Sequence, residues 1–165
     1  MKKRLILATA LFSLGLVACQ QHNPANTSVS TTPSHHSTSA LTEQNKKIVV
    51  DFYEGVFSKH QVQTYSDRYI GIQYIQHNPY VADGKAPFVN YFTQYFKEHP
   101  DAKNTIKRVV AEGDLVVLHV HSTQNAQDRG EAVVDIFRVE QGKIVEHWDV
   151  IQSIPAESAN RNTMF

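Results

Sequence analysis

The sequence predicts an α+β domain, helices first and an antiparallel meander after, and three observations predict it. Apolar residues recur three and four apart between residues 41 and 100, the period of helices buried on one side. Beyond Pro100 the pattern changes to four β-rich runs, 105–111, 115–123, 131–140 and 143–153, punctuated by Gly113, Gly130 and Gly142. Ahead of both lies a stretch with neither period, which separates the domain from a leader. No internal repeat is visible, and 165 residues suit one domain of ordinary size.

Residues 1–18 have the layout of an export signal. Lys2, Lys3 and Arg4 precede an apolar run from Leu5 to Ala18 that is too short to remain as a membrane-spanning helix. Leu16-Val17-Ala18-Cys19 resembles the bacterial lipobox, which implies cleavage before Cys19 and lipid on its sulfur. Several acyl chains on one residue anchor stably, since each buried CH₂ contributes roughly 0.8 kcal/mol. Gln20 in place of Asp implies, in the Gram-negative pattern, sorting to the outer membrane. The expected location is therefore the cell envelope, on the periplasmic face of the outer membrane. Residues 19–40 then form a lipidated tether, because 20–40 contain no charge, nine Ser or Thr, and only Ala25, Val29 and Ala40 as apolar side chains. His22, His35 and His36 read as part of this solvated stretch. The folded domain is expected over 41–165.

Thr42 is placed to cap a first helix whose Ile48, Val49, Phe52, Val56 and Phe57 face inward, with Lys46, Lys47, Asp51 and Glu54 outside. A short second helix is expected around 62–66, then a brief strand over 69–76 that stops at the turn former Asn78-Pro79. Asp83 and Pro87 announce a third helix, with an aromatic stripe of Phe88, Phe92, Tyr95 and Phe96, ended by Pro100. In the meander, Leu115, Val117, His119 and His121 share one face, and Val116, Leu118 and Val120 the other. Neither face is clearly polar, so helices are expected on one and a second subunit on the other. A two-residue turn at Gln141-Gly142 sets Glu140 opposite Lys143, Val139 opposite Ile144, Phe137 opposite Glu146 and Asp135 opposite Trp148. Asp135 and Trp148 then share a face, while Ile136, Arg138, His147 and Asp149 point the other way.

Composition removes several functions. The chain has 16 basic and 16 acidic residues, and loss of Lys2, Lys3 and Arg4 with the leader leaves 13 against 16. A net charge near −3 argues against a nucleic-acid partner. The single cysteine excludes an intramolecular disulfide framework, a Cys-rich zinc module and a CxxC redox pair. No Walker loop, dinucleotide fingerprint, GxSxG elbow or HExxH is present, so no cofactor is expected.

Chemistry must come from His, carboxylate, Tyr or Trp. Asp135 interrupts the apolar strand Ala132-Val133-Val134-Asp135-Ile136-Phe137, where a charge is costly without partners. A carboxylate withdrawn from water beside Trp148 is suited to proton transfer; the same residue bonded to Arg or His would be structural. His119 and His121 project in one direction, as satisfied core residues, as an acid and base pair, or as metal ligands completed by His77 or Asp135. His77 ends a strand where side chains commonly reach a pocket mouth or stabilise a turn.

Tyr74-Ile75-Gln76-His77-Asn78-Pro79, His119-Val120-His121, Val134-Asp135-Ile136-Phe137-Arg138, Gly142 through Asp149, and the ending around Ser158-Ala159-Asn160 and Asn162-Thr163-Met164-Phe165 together resemble the SnoaL-like branch of the NTF2-like superfamily. The resemblance implies a cone of curved antiparallel sheet around a long helix, a pocket inside, and a homodimer. It also implies acid/base chemistry without a cofactor, of the aldol condensation, cyclisation or isomerisation type, on a small apolar carbonyl compound. Asp135 would be the acid/base, aided by His121 or His119, with His77, Trp148, Asn78 and Tyr74 holding the substrate. The other reading is a ligand-binding or assembly lipoprotein without turnover. Export departs from cytoplasmic polyketide cyclases and argues against their substrates.

Overall fold

The computed structural model describes residues 35–165, with side chains from residue 39. The export signal, Cys19 and residues 20–34 lie outside the described residues. Helix α1 spans His35–Tyr53 and passes into a π-helical turn, Glu54–Ser58. It thus starts well before Thr42, and residues 35–40, expected in the tether, are helical. No proline or glycine interrupts the chain between Pro33 and Gly55, so nothing stops the helix from extending outward once its apolar face is docked. Val49, Phe52, Tyr53, Val56 and Phe57 form that face, all buried.

Helix α2 (Val62–Tyr69) leads into β1 (Ile70–Gln76), and α3 (Lys85–Glu98) follows the turn at Asn78-Pro79. Gly55 permits the π turn to meet α2, since a Cβ there would lie 2.1 Å from the Tyr65 ring. Strands β2 (Lys103–Glu112), β3 (Leu115–Thr123), β4 (Glu131–Glu140) and β5 (Lys143–Ser153) form the expected antiparallel meander. The sheet order is β1-β5-β4-β3-β2, with β1 parallel to β5. Single-residue bulges at Lys107 and Val145 interrupt the β2–β3 and β4–β5 pairings, and the β1–β5 register shifts between Ile70 and Ile75.

The core lies between the helices and the inner face of the sheet. Val116, Leu118 and Val120 are fully buried on β3, and Phe52, Phe88 and Phe137 meet across the layers with ring centroids 5.8 and 6.0 Å from Phe52. Asn45 ties α1 to the β2–β3 turn by donating to the Gly113 carbonyl at 3.1 Å. The α+β architecture expected from the sequence is the one observed. Among the described residues, no helix is long and apolar enough to cross a membrane.

The last hairpin departs from expectation by one residue. Gln141 and Gly142 both have positive φ, 49° and 75°, so the two-residue turn forms, and Glu140 faces Lys143 and Val139 faces Ile144 as expected. Val145 is then inserted as a bulge, and beyond it Arg138 faces Glu146, Phe137 faces His147 and Asp135 faces Asp149. The bulge keeps Ile144 fully buried while reversing every later side chain of β5. His147 and Asp149 therefore share the inner face with Asp135, and Trp148 lies outside.

Candidate functional site

A cavity of about 330 Å³ opens between the helices and the inner face of the sheet. Phe57, Phe88, Phe92, Tyr91 and Tyr95 supply an aromatic wall from the helical side. The sheet supplies polar groups: Gln76 from β1, Asn104 from β2, Asp135 from β4, His147 and Asp149 from β5. Asp135 and His147 are 6% and 7% exposed, so both polar side chains need partners.

Those partners specify where the protons are. The backbone N–H of Asn78 donates to Gln76 Oε1 at 3.1 Å, which makes that atom the amide oxygen. His147 Nδ1, 2.8 Å from the same oxygen, must then carry a hydrogen. On the other side, Asn104 Nδ2 donates to the Tyr53 hydroxyl at 3.1 Å, and that hydroxyl donates to Asp135 Oδ2 at 2.8 Å. The remaining contact, His147 Nε2 to Asp135 Oδ1 at 3.0 Å, holds one hydrogen. The pair is either imidazolium with carboxylate or imidazole with carboxylic acid, two states that differ by the transfer of a single proton. Burial first, and then the charge of Asp135, raise the Tyr53 phenol well above its ordinary value, so it remains a neutral donor.

The rest of the site holds this pair in place. The Phe137 ring packs against His147 with centroids 4.7 Å apart. Asn78 Nδ2 donates to Asp149 Oδ2 at 2.7 Å, fixing the turn after β1 over the cavity. The Tyr74 hydroxyl is buried beside Gln76, and burial raises its pKa. Asp135, His147 and Asp149 each offer a ligand atom within 4.8 Å of the others, a donor set of a kind that divalent cations accept. The first two are already joined by a hydrogen bond, and Asn78 holds the third.

Of the residues expected from the sequence to act together, Asp135, Tyr74 and Asn78 line the cavity. The others lie on the opposite face of the sheet. His119 and His121 pair with Val134 and Ala132 and point outward, because Val116, Leu118 and Val120 take the inner face of β3. His119 Nδ1 meets the Arg108 guanidinium at 3.2 Å, His121 Nε2 donates to the Arg129 carbonyl at 2.8 Å, and Phe165 packs against both rings. Trp148 stacks on His77 with centroids 4.6 Å apart and planes 5° apart. Thus His147, assigned outward by the unbulged register, replaces His119 and His121 as the histidine bonded to Asp135. Tyr53, Gln76 and Asn104 complete the network. Tyr53, four residues before Phe57, is not among the inward positions expected from the sequence, and nothing in its spacing marks it as a donor to β4.

The outer pair carries an acid-dependent bond. Glu146 accepts from His77 Nε2 at 2.9 Å and from Arg138 Nε at 2.7 Å, and these two contacts hold its carboxyl below the ordinary 4.5. Because the folded value is below the unfolded one, this contribution is complete above pH 4.5 and is lost as pH falls through the folded value. Thermal melts of the full chain on acidification are expected to show a smaller decline for Glu146→Gln than for the parent. Identical slopes would contradict the pairing.

The chain matches the family model described as SnoaL-like polyketide cyclase over residues 47–160, and it belongs to that family. Solved structures share its fold. TsrD from Streptomyces laurentii superposes with a TM-score of 0.55 at 17% identity, over 66% of this chain and 88% of that one. A candidate ketosteroid isomerase from Kribbella flavida DSM 17836 gives 0.59 at 16%, over 75% and 89%. An NTF2-like protein of unknown function from Mesorhizobium loti gives 0.57 at 19%, over 68% and 93%. No curated protein matches the chain.

Proposed function

We propose that the cavity binds a small, largely apolar carbonyl compound and transfers a proton at the carbon beside its carbonyl. The single proton shared between Asp135 Oδ1 and His147 Nε2 carries the reading. In the charged form the Asp135 carboxylate removes the proton, the imidazolium charge offsets the enolate that forms, and the resulting Asp135 acid returns the proton to the enolate carbon or oxygen. Tyr53 and Gln76 keep both groups aligned through either state. The enolate so formed is the common intermediate of aldol condensation, cyclisation and double-bond isomerisation. Family membership and the likeness to the candidate ketosteroid isomerase from Kribbella flavida support the class, and no cofactor is needed for it.

The test does not require the natural substrate. Incubated in D₂O with a panel of small apolar ketones, the protein is expected to catalyse saturable exchange of the α-protons, read by NMR. The alternative is binding without turnover, favoured by one observation: both Asp135 oxygens are already engaged in hydrogen bonds within the protein. Saturable binding without exchange would support it and overturn the catalytic reading.

The same proposal covers place and assembly. The charged start and the Leu16–Cys19 tetrad support a lipid-anchored protein of the envelope, on the periplasmic face of the outer membrane. Cys19→Ser is expected to remove the acyl mass and shift the protein from the detergent to the aqueous phase on Triton X-114 partitioning. Unchanged partitioning would count against the anchor. Val110 and Val150, 63% and 67% exposed on the outer face, support a homodimer through that face.

A further inference from the structure

Among the described residues, the cavity walls include three carboxylates, Asp135, Asp149 and Glu131, and no lysine or arginine. One imidazole, His147, is the available counter-charge; it bonds Asp135, and Asp149 offers an oxygen within 4.8 Å. Among the described residues, no Lys, Arg or His nitrogen lies within 4.0 Å of a carboxylate oxygen of Asp149 or Glu131. Their partners are neutral, Asn78 Nδ2 at 2.7 Å and Ser153 Oγ at 3.2 Å. Whichever member of the Asp135–His147 pair holds the shared proton, the walls carry two formal negative charges in excess. Arg129, in the adjoining depression at the β3–β4 loop, faces the Ile154 carbonyl and sits beside Asp128.

Uncompensated charge in a partly enclosed site attracts cations and repels anions. The aromatic residues add to the same preference. Tyr80 is 88% exposed and Tyr91 half-exposed at the cavity, with Phe92 and Tyr95 behind, and the faces of such rings attract organic cations. We propose that the ligand is a cationic amine with an apolar body, its ammonium held by Glu131 or Asp149 and the tyrosines, its body against Phe57, Phe88 and Phe92. The inference rests on the cavity being the ligand site, and it narrows the carbonyl compound proposed above to one bearing an amine.

The test uses three probes of nearly equal shape, 4-phenylbutylamine, 4-phenylbutan-1-ol and 4-phenylbutanoate, titrated into the full chain by calorimetry at neutral pH and low salt. The amine is expected to bind about tenfold more tightly than the alcohol, and the carboxylate more weakly than either. Glu131→Gln combined with Asp149→Asn is expected to bring amine and alcohol level. Should the double variant not fold, Glu131→Gln alone, close to the mouth, is expected to narrow the gap. An alcohol that binds as well as the amine, or a gap untouched by these substitutions, overturns the charge inference and leaves the ligand-site reading standing. Binding of none of the three overturns both.

Discussion

Asp135→Asn is expected to abolish α-proton exchange, by about 10²- to 10⁴-fold, while leaving the protein folded. The network accepts the amide without rearrangement. Asn Oδ1 can take the Tyr53 hydroxyl hydrogen, and Asn Nδ2 can donate to His147 Nε2 once the ring is neutral with its hydrogen on Nδ1, facing Gln76. Every hydrogen bond is kept, so stability should change by no more than about 1 kcal/mol. What is lost is the mobile proton, because an amide neither accepts nor releases one at neutral pH. Exchange measured by NMR beside a thermal melt separates the two effects. Exchange that survives the substitution would remove Asp135 from the chemistry; a large fall in Tm would make it a structural ion pair. On the family resemblance read from the sequence, the histidine to replace would have been His121 or His119. Because the His121 ring lies on the far side of the sheet against Phe165, His121→Ala should leave exchange at Asp135 in place.

The fold was largely legible because it is written in periodicity. Strands β3, β4 and β5 were read at their observed bounds, since β-branched runs bounded by glycine turns leave little choice of ends. Asp135 was legible for a related reason: a carboxylate inside an apolar strand must be justified by partners. Its histidine was not. Face assignment along β5 depends on counting in twos from the turn, and one inserted residue, Val145, inverts the count. No residue in Ile144-Val145-Glu146 signals a bulge; only the burial of Ile144 and of His147, three positions apart on one inner face, requires it. The parallel pairing of β1 with β5, which brings Gln76 and Asn78 to His147 and Asp149, is a long-range contact of the same invisible kind. The extension of α1 to His35 had a different origin, a polar composition that reads as linker until a docked helix propagates through it.

Phe137→Ala is expected to give the largest loss of stability, about 3–5 kcal/mol, with a correspondingly lower midpoint in urea. The ring is 2% exposed where α1 meets β4 and β5, with centroids 6.0 Å from Phe52, 6.2 Å from Tyr53 and 4.7 Å from His147. Its removal opens a void that α1 and β5 cannot both close, since each is held in place elsewhere, α1 by Asn45 on Gly113 and β5 by its pairing with β1 and β4. The loss should extend to function, because the void borders the imidazole whose position sets the shared proton. Phe137→Leu refills much of the space and should recover most of the stability. If it also recovers proton exchange, packing alone positions His147. If stability returns and exchange does not, the aromatic ring is itself required to hold the imidazole against Asp135. A loss below about 1 kcal/mol for the alanine variant would mean that the helices close over the gap, and that the cavity wall yields where the proton pair needs it rigid.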